Sequence, residues 1–177
     1  TLTKGTQMST VNPVVTGGSP SSWAISPGLP NGLSFFTDTG AIGGTPSVLQ
    51  TNAVQHTIWA NNTAGSVSFT FNLTVNDVQP TNLTYANTNL TLTVGTPVNI
   101  APPTMEGGTV TSWSIDPSLP AGLTFSTSTG RINGTPTALS VTAVTYTVTA
   151  TNSGGSDFPS LSMGVLATPP RSLSFSP

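Results

Sequence analysis

The sequence predicts an all-β chain folded as two tandem antiparallel β-sandwiches in an elongated array. Three observations carry that expectation. The chain repeats itself: displaced by 90 residues, it aligns to its own end without a gap, with 35 identities among 87 pairs. Apolar and polar residues alternate at period 2 in run after run, the pattern of strands with one buried face. The composition, finally, is 33 Thr, 22 Ser, 18 Gly and 16 Pro in 177 residues, with only 8 charged side chains. Strand and turn formers dominate, and the Lys, Glu and Arg that favour helices are nearly absent.

The residues that repeat are of two kinds, core apolars and residues of special backbone geometry. Trp23 falls on Trp113, Leu29-Pro30 on Leu119-Pro120, Gly32-Leu33 on Gly122-Leu123, Thr39-Gly40 on Thr129-Gly130, and Gly44-Thr45-Pro46 on Gly134-Thr135-Pro136. Each period is close to the ~100 residues of one small β-sandwich. The boundaries follow: residues 1–78 form the first repeat, residues 79–168 the second, and residues 169–177 begin a further one.

The elements of the second repeat come in order. Leu83 and Tyr85 alternate on a short first strand, and Leu90, Leu92 and Val94 on the next. Trp113 and Ile115 lie on a third. Leu123 and Phe125 precede a turn over residues 126–130, and Ile132 follows it. Val144, Tyr146, Val148 and Ala150 share one face of a long strand. A turn at Asn152-Ser153-Gly154-Gly155 leads to Leu161, Met163 and Val165. The first repeat supplies Val54, His56, Ile58 and Ala60, then Phe69, Phe71, Leu73 and Val75. Strict alternation predicts half-buried antiparallel strands, and short strands at close spacing predict a sandwich.

Pro27-Gly28-Leu29-Pro30 and Pro117-Ser118-Leu119-Pro120 cannot be central strands, because proline lacks the ladder donor. They are expected as extended crossovers that place Leu29 or Leu119 at the sandwich edge. Gly40 and Gly130 are expected to supply a positive φ at a turn, and Gly44 and Gly134 a tight bend before Pro46 and Pro136.

The string from Trp113 to Leu123 (Trp-Ser-Ile-Asp-Pro-Ser-Leu-Pro-Ala-Gly-Leu), followed by Thr129-Gly130-Arg131-Ile132-Asn133-Gly134-Thr135-Pro136, resembles the "putative Ig" tandem-repeat family. The ending Tyr146-Thr147-Val148-Thr149-Ala150-Thr151-Asn152 fits it too. The resemblance covers both repeats. It implies Ig-like sandwiches similar to cadherin-type and dystroglycan-type domains, as found in large bacterial and archaeal surface proteins. It brings no catalytic residue to transfer, because such domains serve as stalks, adhesive arms and accessory modules.

The residues themselves exclude much chemistry. With no cysteine, there is no disulfide framework, thiolate metal site or thiol nucleophile. A lone histidine with scattered acids builds neither a histidine-rich metal cage nor a repeated Ser-His-Asp triad. Three basic residues and a net charge of −2 give no footprint for nucleic acid. No stretch approaches the ~20 apolar residues of a membrane helix. No enzymatic activity and no cofactor or metal are therefore expected. The chain opens inside a strand-like run without a signal-peptide pattern, so the sequence is expected to be a processed or excerpted piece.

A few residues invite a chemical role. His56 stands where the second repeat has Tyr146, which predicts a half-buried ring with a backbone partner. Asn76-Asp77 lies between the repeats, but calcium wants 6–8 oxygens and only one carboxylate is local, so a solvated linker is expected. Asp38 and Asp116 are expected as turn residues. Trp59 is opposite in phase to Ile58 and should face outward, where it could stack on a sugar or cover a neighbour. Lys4, replaced by Val94 in the other repeat, lacks a nearby acid for an isopeptide bond. Glycan acceptors of the form Asn-x-Ser/Thr occur at Asn61, Asn72, Asn82, Asn89 and Asn133, no more than composition provides.

The repeat is cut out of register. Pro80-Thr81-Asn82-Leu83-Thr84-Tyr85 introduces the second repeat, and its counterpart stands at the far end as Pro170-Arg171-Ser172-Leu173-Ser174-Phe175. Either the chain is a window on a longer array, or Leu173 and Phe175 complete the first sandwich of another subunit by strand addition. The expected function is an extracellular structural repeat in a filament, stalk or large adhesin on a prokaryotic cell surface. Its expected partners are copies of itself or adjoining repeats, and surface glycans. The alternative is a carbohydrate-binding or spacer module of a secreted enzyme, presenting loops or Trp59.

Overall fold

The computed structural model describes residues 1–170 and 172–174, and every regular element among them is a β-strand. Among the described residues no helix is long and apolar enough to cross a membrane. The chain divides into two units, Thr1–Val78 and Gln79–Pro177.

The first unit carries β1 (Leu2–Thr3), β2 (Met8–Val11), β3 (Ser22–Ser26), β4 (Leu33–Phe35), β5 (Ile42–Gly44), β6 (Gln50–Asn62) and β7 (Gly65–Asn76). One sheet has the order β1-β7-β6-β3, the other β2-β5-β4. The second unit carries β8 (Thr81–Thr84), β9 (Asn89–Thr93), β10 (Val98–Ile100), β11 (Thr104–Glu106), β12 (Ser112–Asp116), β13 (Leu123–Phe125), β14 (Ile132–Gly134), β15 (Ser140–Asn152), β16 (Gly155–Asp157) and β17 (Ser160–Leu166). Its larger sheet runs β12-β15-β17-β9 with β16 also on β15, its smaller one β10-β14-β13, and β8 pairs with β11.

The register repeats with the sequence. Trp23 pairs with Ala60 and Ile25 with Ile58, as Trp113 pairs with Ala150 and Ile115 with Val148. Pairing is antiparallel except at one edge of each unit, where β1 runs parallel to β7 and β9 parallel to β17. The antiparallel expectation fails at these two edges, because an edge strand with one buried face alternates in the same way whichever direction its neighbour runs.

In the second unit the two sheets enclose a filled core. Leu92, Leu123, Ile132, Tyr146, Leu161, Met163 and Val165 form one cluster, and Leu83, Tyr85, Trp113, Val148 and Ala150 another. The first unit is barer. Of 16 buried apolar side chains among the described residues, it holds only Ala41, Ala60, Leu73 and Val75.

The glycines do what their spacing implies. Gly40 and Gly130 both sit at φ +72°, and a Cβ on either would strike the ring of Trp23 or Trp113. The turn and the tryptophan seat are therefore one device. Gly44 and Gly134 also have positive φ. The peptide bonds Ser26-Pro27 and Asp116-Pro117 are cis. Leu29 and Leu119, in the crossovers, are half-buried.

One break separates the units. β7 is continuous over 12 residues, whereas its counterpart splits into β16 and β17. Pro159 lies in the gap and has no N–H to give the ladder, while its counterpart Phe69 does. The freed β16 lies beside β8.

Candidate functional site

In the second unit, Leu83 and Tyr85 cover Trp113, Val148 and Ala150. The Tyr85 hydroxyl donates to the Gly130 carbonyl. The Leu83 N–H donates to Asp157 Oδ2 at 2.9 Å, and the Asn82 side-chain amide to Glu106 Oε2 at 2.8 Å. Main-chain pairing to β11 completes the seat. Burial pushes the Tyr85 phenol up to about 12.

In the first unit an open apolar groove of about 770 Å³ takes in the same place and runs on past Leu2, Ile42 and Leu73, the counterparts of Leu92, Ile132 and Met163 in the second unit's other cluster. Trp23, Ile58 and Ala60, the counterparts of Trp113, Val148 and Ala150, form its floor together with Leu33 and Phe71. The stretch matching β11, residues 14–16, is not a strand, and Val14 is 92% exposed. On the opposite rim, Val67 and Phe69 are 57% and 68% exposed, although their phase in β7 is that of the buried Leu73 and Val75. Phe69 stacks on Phe71 at 6.4 Å. Among the described residues no Asp, Glu, Lys, Arg or His lines the groove. It can hold apolar side chains and meet a strand's backbone, but its side chains offer no acid, base or charged group.

The other sequence-derived residues fall as follows. Leu173 is 85% exposed and outside any strand; Phe175 lies outside the described residues. His56 is fully buried, deeper than expected. Its Nδ1 lies 2.9 Å from the Pro27 carbonyl, which fixes Nδ1 as the donor, and the ring stacks on Phe71 at 5.4 Å. Its Nε2 is buried without a hydrogen-bond partner. Trp59 pairs with Ala24 and Ser68 and is half-buried rather than fully exposed. Asp77 Oδ1 accepts the Val78 N–H at 3.0 Å. Lys4 is exposed. Among the described residues no three His, Asp or Glu side chains group as metal ligands. Of the glycan acceptors, Asn72, Asn82, Asn89 and Asn133 are exposed and Asn61 is half-buried. The Asn82 amide is engaged by Glu106, and Asn61 Oδ1 accepts from Ser66.

Asp157 is the residue that sequence reasoning passed over. A signal existed: it is the acid at the position where the first repeat has Val67, opposite an alanine in both registers. Its partner lies 74 residues away, which no local pattern reveals.

Comparison with known proteins adds three findings. The model of the family described as "Putative Ig domain" matches residues 1–76 and 80–165. A Staphylococcus aureus protein named "Serine-rich adhesin for platelets" is 34% identical over 131 residues, 72% of this chain; the chain spans only 6% of that relative's length. Among solved structures, extracellular domains 3–5 of Drosophila OTK superpose with TM-score 0.51 at 16% identity, over 93% of this chain and 58% of that one. The titin fragment I67-I69 matches with TM-score 0.41 at 22% identity, over 94% and 62%.

Proposed function

The chain belongs to the "Putative Ig domain" family, and we propose that it is an extracellular structural repeat, one stretch of a filament, stalk or large adhesin on a prokaryotic cell surface. Its two Ig-like domains are a repeat region related to a bacterial adhesin. The observation that carries the reading is the tandem itself: one Ig-like sandwich is written twice at a 90-residue period, and the pairing of Trp23 with Ala60 in the first copy recurs as Trp113 with Ala150 in the second. Head-to-tail contacts that do not close into a ring propagate in a line. In this reading copies, or adjoining repeats, follow one another as a linear string, and the exposed Asn89 is a site for a glycan.

The test is made on cells that produce the parent protein. Antibodies raised against the folded 177-residue chain should label intact cells, trace linear structures under immunogold, and lose their target after external protease. Labelling seen only after lysis would overturn the proposal.

A further inference from the structure

We propose that His56 is a proton-operated catch. As a neutral ring it pins the crossover of residues 27–30 to β6. On taking up a further proton the ring must leave its seat, so mild acid opens the first domain and leaves the second closed. The catch lies wholly inside one domain and does not depend on the array.

The geometry fixes the resting state. The ring is fully buried and stacks on Phe71, its partner across β6 and β7, with 5.4 Å between centroids and 23° between planes. Its Nδ1 lies 2.9 Å from the Pro27 carbonyl oxygen. A carbonyl only accepts, so Nδ1 carries the hydrogen, and Nε2 of the neutral ring is a bare acceptor. That Nε2 is buried and has no hydrogen-bond partner among the described residues. A proton added there makes a donor with nothing to receive it and a charge with no water around it. Both are costly in an apolar interior. The unfolded chain meets neither cost, because water solvates the imidazolium.

No neighbouring group offsets the charge. Among the described residues of the first unit, His56 is the one ionisable side chain on any strand. β3 with the crossover lies on one side of it and β7 on the other, and neither brings an acid or a base; nor do β2, β5 and β4 of the second sheet. The unit's remaining ionisable groups lie off the strands. The Thr1 amine, Lys4 and Asp38 are exposed, and Asp77 is half-buried with its Oδ1 on the Val78 N–H. The second domain has the buried Tyr146 at this position, and a phenol takes up no proton in mild acid. The sign follows. The folded first domain resists a proton that the unfolded chain accepts, so its stability is full while the ring is neutral in both states. It is lost as pH falls through the range in which a free histidine charges, roughly pH 8 to 5. The ring reaches water only by leaving the Pro27 carbonyl, which frees the crossover.

The experiment unfolds the full chain in urea at about pH 7 and about pH 5, on either side of the histidine range, and follows each domain separately by pulsed hydrogen exchange. The unfolding constant of the first domain should rise at least tenfold over that interval, as one proton taken up on opening requires, and that of the second should change less than about threefold. His56→Tyr, which places in the first copy what the second already holds in its core, should abolish the rise. The ring itself gives a readout that needs no variant. The chain has one histidine, so isotope labelling of its ring nitrogens yields one pair of signals. They should report the neutral Nδ1–H tautomer in the folded chain at both pH values, and the imidazolium in urea at the lower one. A folded first domain that carries the imidazolium, equal responses of the two domains, or a rise that survives His56→Tyr overturns the proposal.

Discussion

Tyr85 shows how much one side chain contributes to the closed domain. Its ring is buried against Trp113 and its hydroxyl is donated to Gly130. Because burial raises its pKa from 10 to about 12 in the fold, the folded state holds the proton more tightly than the unfolded chain. The stability this gives is complete below pH 10 and is lost as pH rises towards 12. Tyr146 is shifted upwards by burial too. Denaturant midpoints of the second domain should therefore fall between about pH 10 and 12, and Tyr85→Phe should flatten part of that fall; an unchanged profile would contradict the burial. The two tryptophans make a second comparison. Trp113 is 8% exposed and Trp23 is half-buried beneath an open groove. Trp113→Ala should cost about 3–5 kcal/mol, and Trp23→Ala distinctly less, as read from the unfolding of each domain within the full chain. Trp113 was legible as core from the repeat, and Trp23 as its counterpart, but not the difference in their cover. The depth of His56 was less so, because its phase predicts a face and not what covers it.

At the level of elements, the closed and open domains differ through short segments. Pro159 ends the ladder, β16 separates from β17, and Asp157 on β16 then takes the Leu83 N–H of β8. Asp157→Ala should cost about 1–3 kcal/mol, the penalty for a polar group left without its partner. Faster amide exchange at Leu83 than in the parent chain is the accompanying sign, and unchanged exchange would show that the carboxylate does not hold the strand. The middles of the long strands β6 and β15 were plain in the sequence, because Val54, His56, Ile58 and Ala60, and Val144, Tyr146, Val148 and Ala150, alternate without a break. β2, β10 and β11 were not read. Three or four residues such as Val98-Asn99-Ile100 alternate too briefly to stand out, and their pairing is decided by chain far away in sequence. The parallel edges β1–β7 and β9–β17 were hidden for the same reason.

Over the whole chain, one repeat is written twice. The 90-residue period and the two Ig-like domains were legible because glycine, proline and tryptophan positions repeat without a gap. What could not be read was the consequence of single differences, such as Val67 for Asp157, which have meaning only once both sheets are in place. The central claim is that two copies of one Ig-like sandwich are packed unequally in this chain, the second around a filled core and the first around an open groove over Trp23. Hydrogen exchange on the full chain tests it most directly. The account predicts that residues 14–16, β3 and the middle of β6 exchange faster than residues 104–106, β12 and the middle of β15. Equal protection of the two domains would contradict it.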